Sequence, residues 1–266
     1  MQRRRFWDSI LKRLLFSSWC LFFTVVLHAQ TISSYPLHDS VAVYPPGCYE
    51  PFSAKKFIVP GALIVYGFTA TKWESVFDLS RTVQKDVWVD HPHNTTTLDN
   101  YLQWAPAAAV YALNFAGVKG EHNFVDRSMI FVLSNVIMGG FVTGIKNISH
   151  ELRPDSNDYK SFPSGHTAEA FLSATFLMEE YRNVSIWYGV GGYLVAGTVG
   201  YLRVYNNAHW LHDVIAGAGF GIASAELAYW IYPFLKRSFF PKSCGKKMII
   251  PVVEAHGLSL TYIQQF

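Results

Sequence analysis

Residues 203–213 combine side chains whose types and spacing suit chemistry on an anion. This stretch places His209 six residues after Arg203 and four residues before Asp213. Because residues four apart share one face of an α-helix, the spacing predicts that Asp213 hydrogen-bonds one ring nitrogen of His209. The other ring nitrogen is then free to act as a nucleophile, and Arg203 supplies a permanently charged donor for an oxyanion. On the same helical reasoning, His212 should point away from this pair.

Two further polar clusters interrupt the apolar segments of the chain. The first reads Lys-x6-Arg-Pro and contains Lys146 and Arg153. The second reads Pro-Ser-Gly-His and contains Ser164, Gly165 and His166. Glycine lets a ligand approach the backbone closely, and free N–H groups at the predicted helix start favour an anion. Both clusters therefore indicate a site for a small anionic group.

The apolar segments predict that the three clusters meet. Residues 164–182 and 184–202 read as two helices joined at Asn183. Two antiparallel helices of similar length return the chain to the end that it left. The polar loop predicted for residues 146–162 joins the first two clusters. We therefore expect one pocket at one end of a helical bundle.

A pocket built from these clusters would be suited to a phosphate group. Lys146, Arg153 and Arg203 supply three cations that can hold charge as it develops. We predict that His209 attacks phosphorus, that His166 protonates the leaving oxygen, and that water then hydrolyses the phosphohistidine. No cysteine–histidine cluster or group of carboxylates suggests a metal site, so we predict neither a metal nor a cofactor.

The three clusters together resemble the signature of the type 2 phosphatidic acid phosphatase (PAP2) superfamily. That superfamily includes bacterial class A acid phosphatases, membrane lipid phosphatases and vanadium haloperoxidases, and the likeness covers about residues 98–236. The resemblance implies an all-α bundle that hydrolyses a phosphomonoester or pyrophosphate without a metal. It implies catalytic roles for His209, His166 and Asp213. The phosphate-binding residues that it implies are Lys146, Arg153, Ser164, Gly165 and Arg203. Leu202 stands where the family usually has serine, which we expect to tune affinity.

The N-terminal part of the chain reads as an export signal followed by an arm. A basic start and an apolar run over residues 14–27 predict a signal peptide at residues 1–29, cleaved after Ala29, with an uncleaved anchor as the alternative. Residues 30–56 are rich in proline and predict an extended arm. In an exported chain, Cys48 and Cys244 can form a disulfide between this arm and the C-terminal tail.

The remaining chain predicts a helical phosphatase domain at residues 57–237 and a tail at residues 238–266. About six core helices are expected, starting near residues 57, 98, 128, 166, 184 and 207. Residues 73–88 are amphipathic, which is typical of either an interfacial or a surface helix. In the tail, residues 248–254 and 258–266 alternate as a short β-hairpin around Gly257.

Composition limits the function without deciding between a membrane protein and a soluble one. Half of the residues are hydrophobic and 15% are charged, against about 25% in an average soluble domain. The net charge of +3 gives no reason to expect nucleic-acid binding. A membrane bundle would hydrolyse a lipid phosphate, whereas a soluble periplasmic one would be a non-specific acid phosphatase. A vanadate-dependent haloperoxidase is the third alternative.

Charge placement predicts a cell-envelope protein whose site faces the periplasm. Basic residues concentrate at the end of the bundle away from the site, and basic loops mark the cytoplasmic side. They are Lys119, Arg127, Arg182, Lys236, Arg237, Lys242, Lys246 and Lys247. A cleaved leader followed by a membrane crossing at residues 57–70 would reverse this orientation. A soluble periplasmic protein would remove the conflict.

Overall fold

A computed structural model describes residues 52–239, 247–254 and 257–264 of the chain. The predicted leader, nearly all of the predicted arm, and both Cys48 and Cys244 lie outside the described residues. The domain limits at residues 57–237 and 238–266 stay predictions.

The described part of the chain contains eight α-helices, which confirm the all-α prediction. They are α1 (Ile58–Ala70), α2 (Glu74–Gln84), α3 (Asp99–Leu102), α4 (Ala105–Phe115), α5 (Phe124–Ser149), α6 (Gly165–Tyr181), α7 (Ile186–Tyr205) and α8 (Leu211–Phe239). A short 3₁₀ helix, Ala54–Phe57, precedes α1, and a π-helical turn, Lys85–Val89, follows α2. Two antiparallel strands, β1 (Lys247–Glu254) and β2 (Gly257–Gln264), pair from Lys247 opposite Gln264 to Glu254 opposite Gly257.

The expected core segments are present, with two corrections. Pro106 lies in the first turn of α4, where its missing N–H costs nothing. Lys146 belongs to the last turn of α5 and not to a polar loop. Arg127 also belongs to α5, where it is fully buried, so it is not a surface charge of the basic end.

Helix α6 lies at the centre of the bundle. It contacts α4, α5, α7 and α8, and most of its residues are buried. Small residues on α8 let the two backbones approach closely. A Cβ atom added at Gly217 would lie 2.5 Å from the carbonyl oxygen of Ser164, and one at Gly221 would lie 2.1 Å from that of Ala168. This contact fixes the start of α6 against the start of α8, which carries Asp213.

A buried polar network stabilises the opposite end of the bundle. Glu180 accepts a hydrogen bond from Arg127 Nε at 3.0 Å and from Tyr229 Oη at 2.9 Å. His122 Nδ1 lies 2.8 Å from the same carboxylate. Both Arg127 and Glu180 are buried, so removing Glu180 would leave Arg127 as an uncompensated buried charge.

The outer helices expose apolar side chains. On α5, one exposed face is formed by Val125, Met129, Val132 and Val136, spaced three or four residues apart. The other face of α5 packs against α8 and α6. Within the described residues, two helices are long and apolar enough to cross a membrane, Phe124–Ser149 and Leu211–Ser238.

We predict that Gly221→Ala destabilises the protein, because the new methyl group would collide with backbone atoms of α6 that no rotamer change can move. The matched control is Gly139→Ala in the interior of α5, where a Cβ atom meets nothing within 4 Å. Glycine is about 1 kcal/mol less favourable than alanine in a helix interior, so the control should be neutral or stabilising. Thermal unfolding of the purified variants measures this difference. Equal unfolding temperatures would contradict the close contact.

Candidate active site

The end of α5 positions the first cluster. His150 has a left-handed backbone (φ 47°), which ends the helix and turns the chain into the loop that leads to Arg153. Lys146 Nζ donates to the carbonyl oxygens of Lys160 at 2.6 Å and Ser161 at 3.3 Å. Lys146 therefore joins the end of α5 to the segment just before the second cluster.

Arg153 connects the first cluster to the third. Its Nε donates to Asp158 Oδ1 at 2.9 Å, and its Nη1 lies 3.5 Å from the carbonyl oxygen of Ala208. The backbone N–H of Lys160 lowers the pKa of Asp158, and Arg153 lowers it further, so this carboxylate stays charged. The indole of Trp210 adds a second link, donating to the carbonyl oxygen of Leu152 at 2.9 Å.

The second cluster begins α6, as its sequence predicts. Ser164 is the N-cap, and its Oγ accepts from the N–H of Thr167 at 3.5 Å. Beside Gly165 the space is open, since a Cβ atom there would have only Val142 within 4 Å. His166 Nε2 lies 2.8 Å from Asn100 Oδ1. The backbone at Gly165 is thus accessible to a ligand at a helix N-terminus.

Arg203 is buried near the end of α7 and is paired with an acid. Its Nη1 donates to Asp99 Oδ2 at 2.5 Å, and both side chains are largely buried. Its Nε finds no hydrogen-bond partner among the described residues, although it is buried. An unsatisfied buried donor is costly, so an anionic ligand at this position would be favoured. The neighbouring Leu202, where the family usually has serine, is fully buried.

His209 contacts Asp213, but not for the predicted reason. His209 lies in the loop before α8, which begins at Leu211, so the two residues do not share a helical face. The carboxylate oxygen Asp213 Oδ2 accepts from Ser161 Oγ at 2.5 Å and from the N–H of Trp210 at 2.9 Å, and it lies 3.3 Å from His209 Nδ1. The loop, held by these bonds, positions the imidazole.

Burial determines the charge state of His209. Desolvation lowers its pKa to about 4, with Asp213 opposing the shift and Arg203 and Lys146 adding to it. The imidazole is therefore neutral near pH 7, which a nucleophile requires. The backbone N–H of His209 donates to the carbonyl oxygen of Arg203 at 3.3 Å, so the histidine lies next to the end of α7.

All eight predicted site residues lie at one end of the bundle. The structure adds partners that the sequence analysis missed, namely Asp99 for Arg203, Asn100 for His166 and Ser161 for Asp213. No sequence signal identifies Asp99 and Asn100, because they lie 104 and 66 residues away from Arg203 and His166, the residues that they contact. Ser161 could have been proposed as a site residue, because it lies only three residues before Ser164 of the second cluster.

A second missed group lies behind Asp213. His212 is fully buried and does not point away, since its Nε2 lies 3.4 Å from Asp213 Oδ1 and 2.7 Å from Glu151 Oε1. Ser80 Oγ of α2 lies 2.9 Å from His212 Nδ1. Within the described residues, Glu151, His212 and Asp213 offer ligand atoms within 4.8 Å of one another, which is the spacing of a possible metal site.

Comparison with known proteins identifies the family. The family model for the PAP2 superfamily matches residues 127–237. A lipid A 1-phosphatase of Porphyromonas gingivalis is 33% identical over 227 residues, which are 82% of this chain and 50% of that protein. The bacitracin transport permease protein BcrC of Bacillus licheniformis is 34% identical over 90 residues, 34% of this chain and 39% of that protein. The chain thus spans half or less of the length of these curated relatives.

Two solved structures are also similar. LpxE of Aquifex aeolicus is 24% identical, with a TM-score of 0.42 over 57% of this chain and 93% of that one. The PAP2 type phosphatidylglycerolphosphate phosphatase of Bacillus subtilis is 19% identical, with a TM-score of 0.40 over 70% of this chain and 97% of that one. The segment that the PAP2 model matches, residues 127–237, contains all three motifs, and over this segment the chain belongs to the PAP2 superfamily.

Proposed function

We propose that this chain hydrolyses a phosphate ester of a membrane lipid and that His209 is the nucleophile. The observation that carries the proposal is a buried, neutral imidazole, oriented by Asp213, that lies within the electrostatic reach of Arg203 and Lys146. A neutral nucleophile beside fixed cations is what attack on a phosphate dianion requires. The likeness to a relative described as a lipid A 1-phosphatase supports a lipid substrate.

The first chemical step forms a bond between His209 Nε2 and phosphorus. Asp213 holds Nδ1–H and stabilises the positive charge that develops on the ring. As the phosphorus–oxygen bond of the leaving group breaks, His166 donates a proton to that oxygen. Burial lowers the pKa of His166 to about 4 in the ligand-free site, so this role requires that the negative charge of the bound phosphate raise that pKa and protonate the ring. The side chains of Lys146, Arg153 and Arg203 and the N–H groups at the start of α6 all lie at one end of the bundle. Together they neutralise the negative charge on the phosphoryl oxygens.

The second step regenerates the enzyme. Water attacks the phosphohistidine, His166 now accepts the proton of that water, and inorganic phosphate leaves with His209 again neutral. The contact between His166 and Asn100 supports this role, because it holds the imidazole at the edge of the site before the substrate arrives. No step uses a metal ion, since three cationic side chains supply the charge that a metal would otherwise provide.

The exposed apolar faces support a membrane location. Large hydrophobic side chains are exposed along α1, α5 and α7, including Val65, Val136 and Leu194. A contiguous apolar face on a helix long enough to cross a bilayer is stabilised by lipid and is unfavourable in water. We propose that α5 and α8 cross the membrane, that the site faces the periplasm, and that the 1-phosphate of lipid A is the first substrate to test.

We predict that His209→Gln lowers phosphate release from lipid A by at least about 10⁴-fold, because loss of a catalytic nucleophile typically costs that much or more. His166→Gln should lower it by about 10²–10⁴-fold, the usual contribution of a general acid. The measurement is inorganic phosphate released from lipid A, phosphatidic acid, phosphatidylglycerophosphate, polyprenyl pyrophosphate and a soluble chromogenic ester. The control is His150→Gln, which changes an exposed histidine next to the first cluster. Full activity in His209→Gln would rule out the nucleophile assignment.

We predict that the imidazole of His209 titrates near pH 4 in the folded protein. The folded state then binds fewer protons than the unfolded state, whose histidine titrates near its usual pKa of about 6.5. The contribution of this group to stability is therefore complete above about pH 6.5 and is lost as the pH falls toward 4. Side-chain ¹⁵N resonances of labelled histidines, assigned with His209→Gln, measure the titration. A midpoint near 6.5 for His209 would contradict its burial.

We predict that the protein stays in the membrane pellet when cell envelopes are washed with alkaline carbonate, because the exposed face of α5 contacts acyl chains. The comparison variant is Val132→Lys with Val136→Lys, which places two charges in the middle of that face. Each charge at a helix centre disfavours insertion by about 2.5–3.5 kcal/mol. The variant should lose membrane retention, as measured by immunoblot. Release of the unaltered protein by carbonate would favour a soluble protein.

A further inference from the structure

We propose that Glu151, His212 and Asp213 form a zinc site whose occupancy inhibits the phosphatase. The inhibitory part rests on the proposed function, whereas the binding part does not. The three residues lie behind the catalytic pocket, on the side of Asp213 that does not contact His209. Nothing in the proposed reaction uses Glu151 or His212.

The ligand atoms are of the kind and spacing that zinc accepts. Bonds of about 2.0–2.1 Å in a tetrahedral site place ligand atoms about 3.3 Å apart. His212 Nε2 and Asp213 Oδ1 are 3.4 Å apart, close to that value. Two oxygens of the cluster, Asp213 Oδ1 and Glu151 Oε2, are buried and have no hydrogen-bond partner among the described residues. Zinc would satisfy both of these atoms.

The surroundings of His212 suit a metal ligand. A ligating histidine usually holds its other ring nitrogen in a hydrogen bond, which fixes the ring and its tautomer. Ser80 Oγ, 2.9 Å from His212 Nδ1, provides that contact. When zinc is bound, Nε2 of His212 carries no proton and binds the metal, while the proton of the neutral ring is on Nδ1 and is donated to Ser80 Oγ. The contact between Nε2 and Glu151 at 2.7 Å opens, so that the metal lies between the two side chains.

An entry path reaches the cluster. Glu151 lines a cavity of about 550 Å³ between α1, α2 and the end of α5, which also includes Lys72, Arg81 and His150. The Glu151 side chain is 15% exposed, whereas His212 and Asp213 are fully buried. A cation can therefore bind Glu151 first. One nitrogen with two carboxylates suits zinc, whereas Mg²⁺ and Ca²⁺ prefer oxygen ligands alone.

Occupancy would act on the nucleophile through Asp213. Zinc on Oδ1 withdraws negative charge from the carboxylate whose Oδ2 orients His209 and stabilises its positive charge during attack. The phosphorylation step would slow, although no zinc touches the substrate. Zinc should therefore lower kcat with little effect on KM.

The binding test uses the full-length chain purified in detergent without a polyhistidine tag. Competition with a chromophoric chelator measures the affinity for Zn²⁺, supplied as its chloride, in unaltered protein, Glu151→Gln and His212→Gln. Because even an indirect partner contributes about 10–100-fold to metal affinity, each ligand variant should bind zinc at least about tenfold more weakly. Ser80→Ala, which leaves all three ligands in place, should weaken binding to a smaller extent. His150→Gln, in the wall of the same cavity, is the matched control and should bind as tightly as the unaltered protein.

Equal zinc affinity in the unaltered protein and both ligand variants would overturn the site, as would an equal loss in His150→Gln. The activity test measures the zinc concentration that halves the hydrolysis rate of each active protein, relative to its own metal-free rate. That concentration should rise at least about tenfold in Glu151→Gln, in proportion to the loss of affinity. Ligand-dependent zinc binding in a protein that hydrolyses no phosphate would contradict the proposed function and leave the zinc site standing. Phosphate hydrolysis by a protein whose zinc affinity does not depend on Glu151 or His212 would contradict the zinc site and leave the proposed function standing.

Discussion

The carboxylate of Asp213 is the interaction on which the rest of the site depends. Its Oδ2 accepts from Ser161 and Trp210 and contacts His209, while its backbone oxygen accepts from the N–H of Ser164 at 3.0 Å. Asp213, at the start of α8, thus joins three segments: the loop that follows α5, the start of α6, and the loop before α8 that contains His209. A fully buried carboxylate is unfavourable unless several donors surround it. The chain can bury Asp213 only when these three segments have come together, so folding and assembly of the site are one event.

Hydrogen bonds to acids and carbonyl oxygens explain how the site holds three cations and stays stable, although only the pair of Arg203 and Asp99 is largely buried. Arg203 is held by Asp99 and Arg153 by Asp158, while Lys146 donates to two carbonyl oxygens. Each cation keeps unused donor capacity, most clearly the partnerless Nε of Arg203. Such a pocket is partly neutralised without a ligand and remains able to receive one anion. Full neutralisation would leave no charge to attract an anion, and without any neutralisation the burial of Arg203 would be unfavourable.

The order and spacing of the clusters were enough to predict a bundle with all three clusters at one end, because antiparallel helices of similar length leave few alternatives. The family was predicted separately, from the resemblance of the three motifs. Reasoning from helical phase failed at His209 and His212. Both errors come from one boundary, since α8 begins at Leu211 and the preceding residues follow loop geometry. The contact of Asp213 with His209 was predicted correctly from the wrong geometry, whereas the contact with His212 was missed. Contacts between residues distant in sequence, such as that of Asp99 with Arg203, could not be predicted, because a single sequence does not show which loops lie next to each other.

The two ends of the bundle solve the same physical problem in different ways. At one end, Glu180 is surrounded by Arg127, His122 and Tyr229, so its charge is balanced within the protein. At the other end, the balance is left incomplete around His209. Helices α6 and α8 run between the two ends. Their close backbone contact at Gly217 and Gly221 prevents one helix from shifting along the other, so the unsatisfied donors near His209 cannot find partners in that way. The network around Glu180 and the close-packed helices thus stabilise the fold, while the other end keeps the unsatisfied Nε donor of Arg203 for an anion.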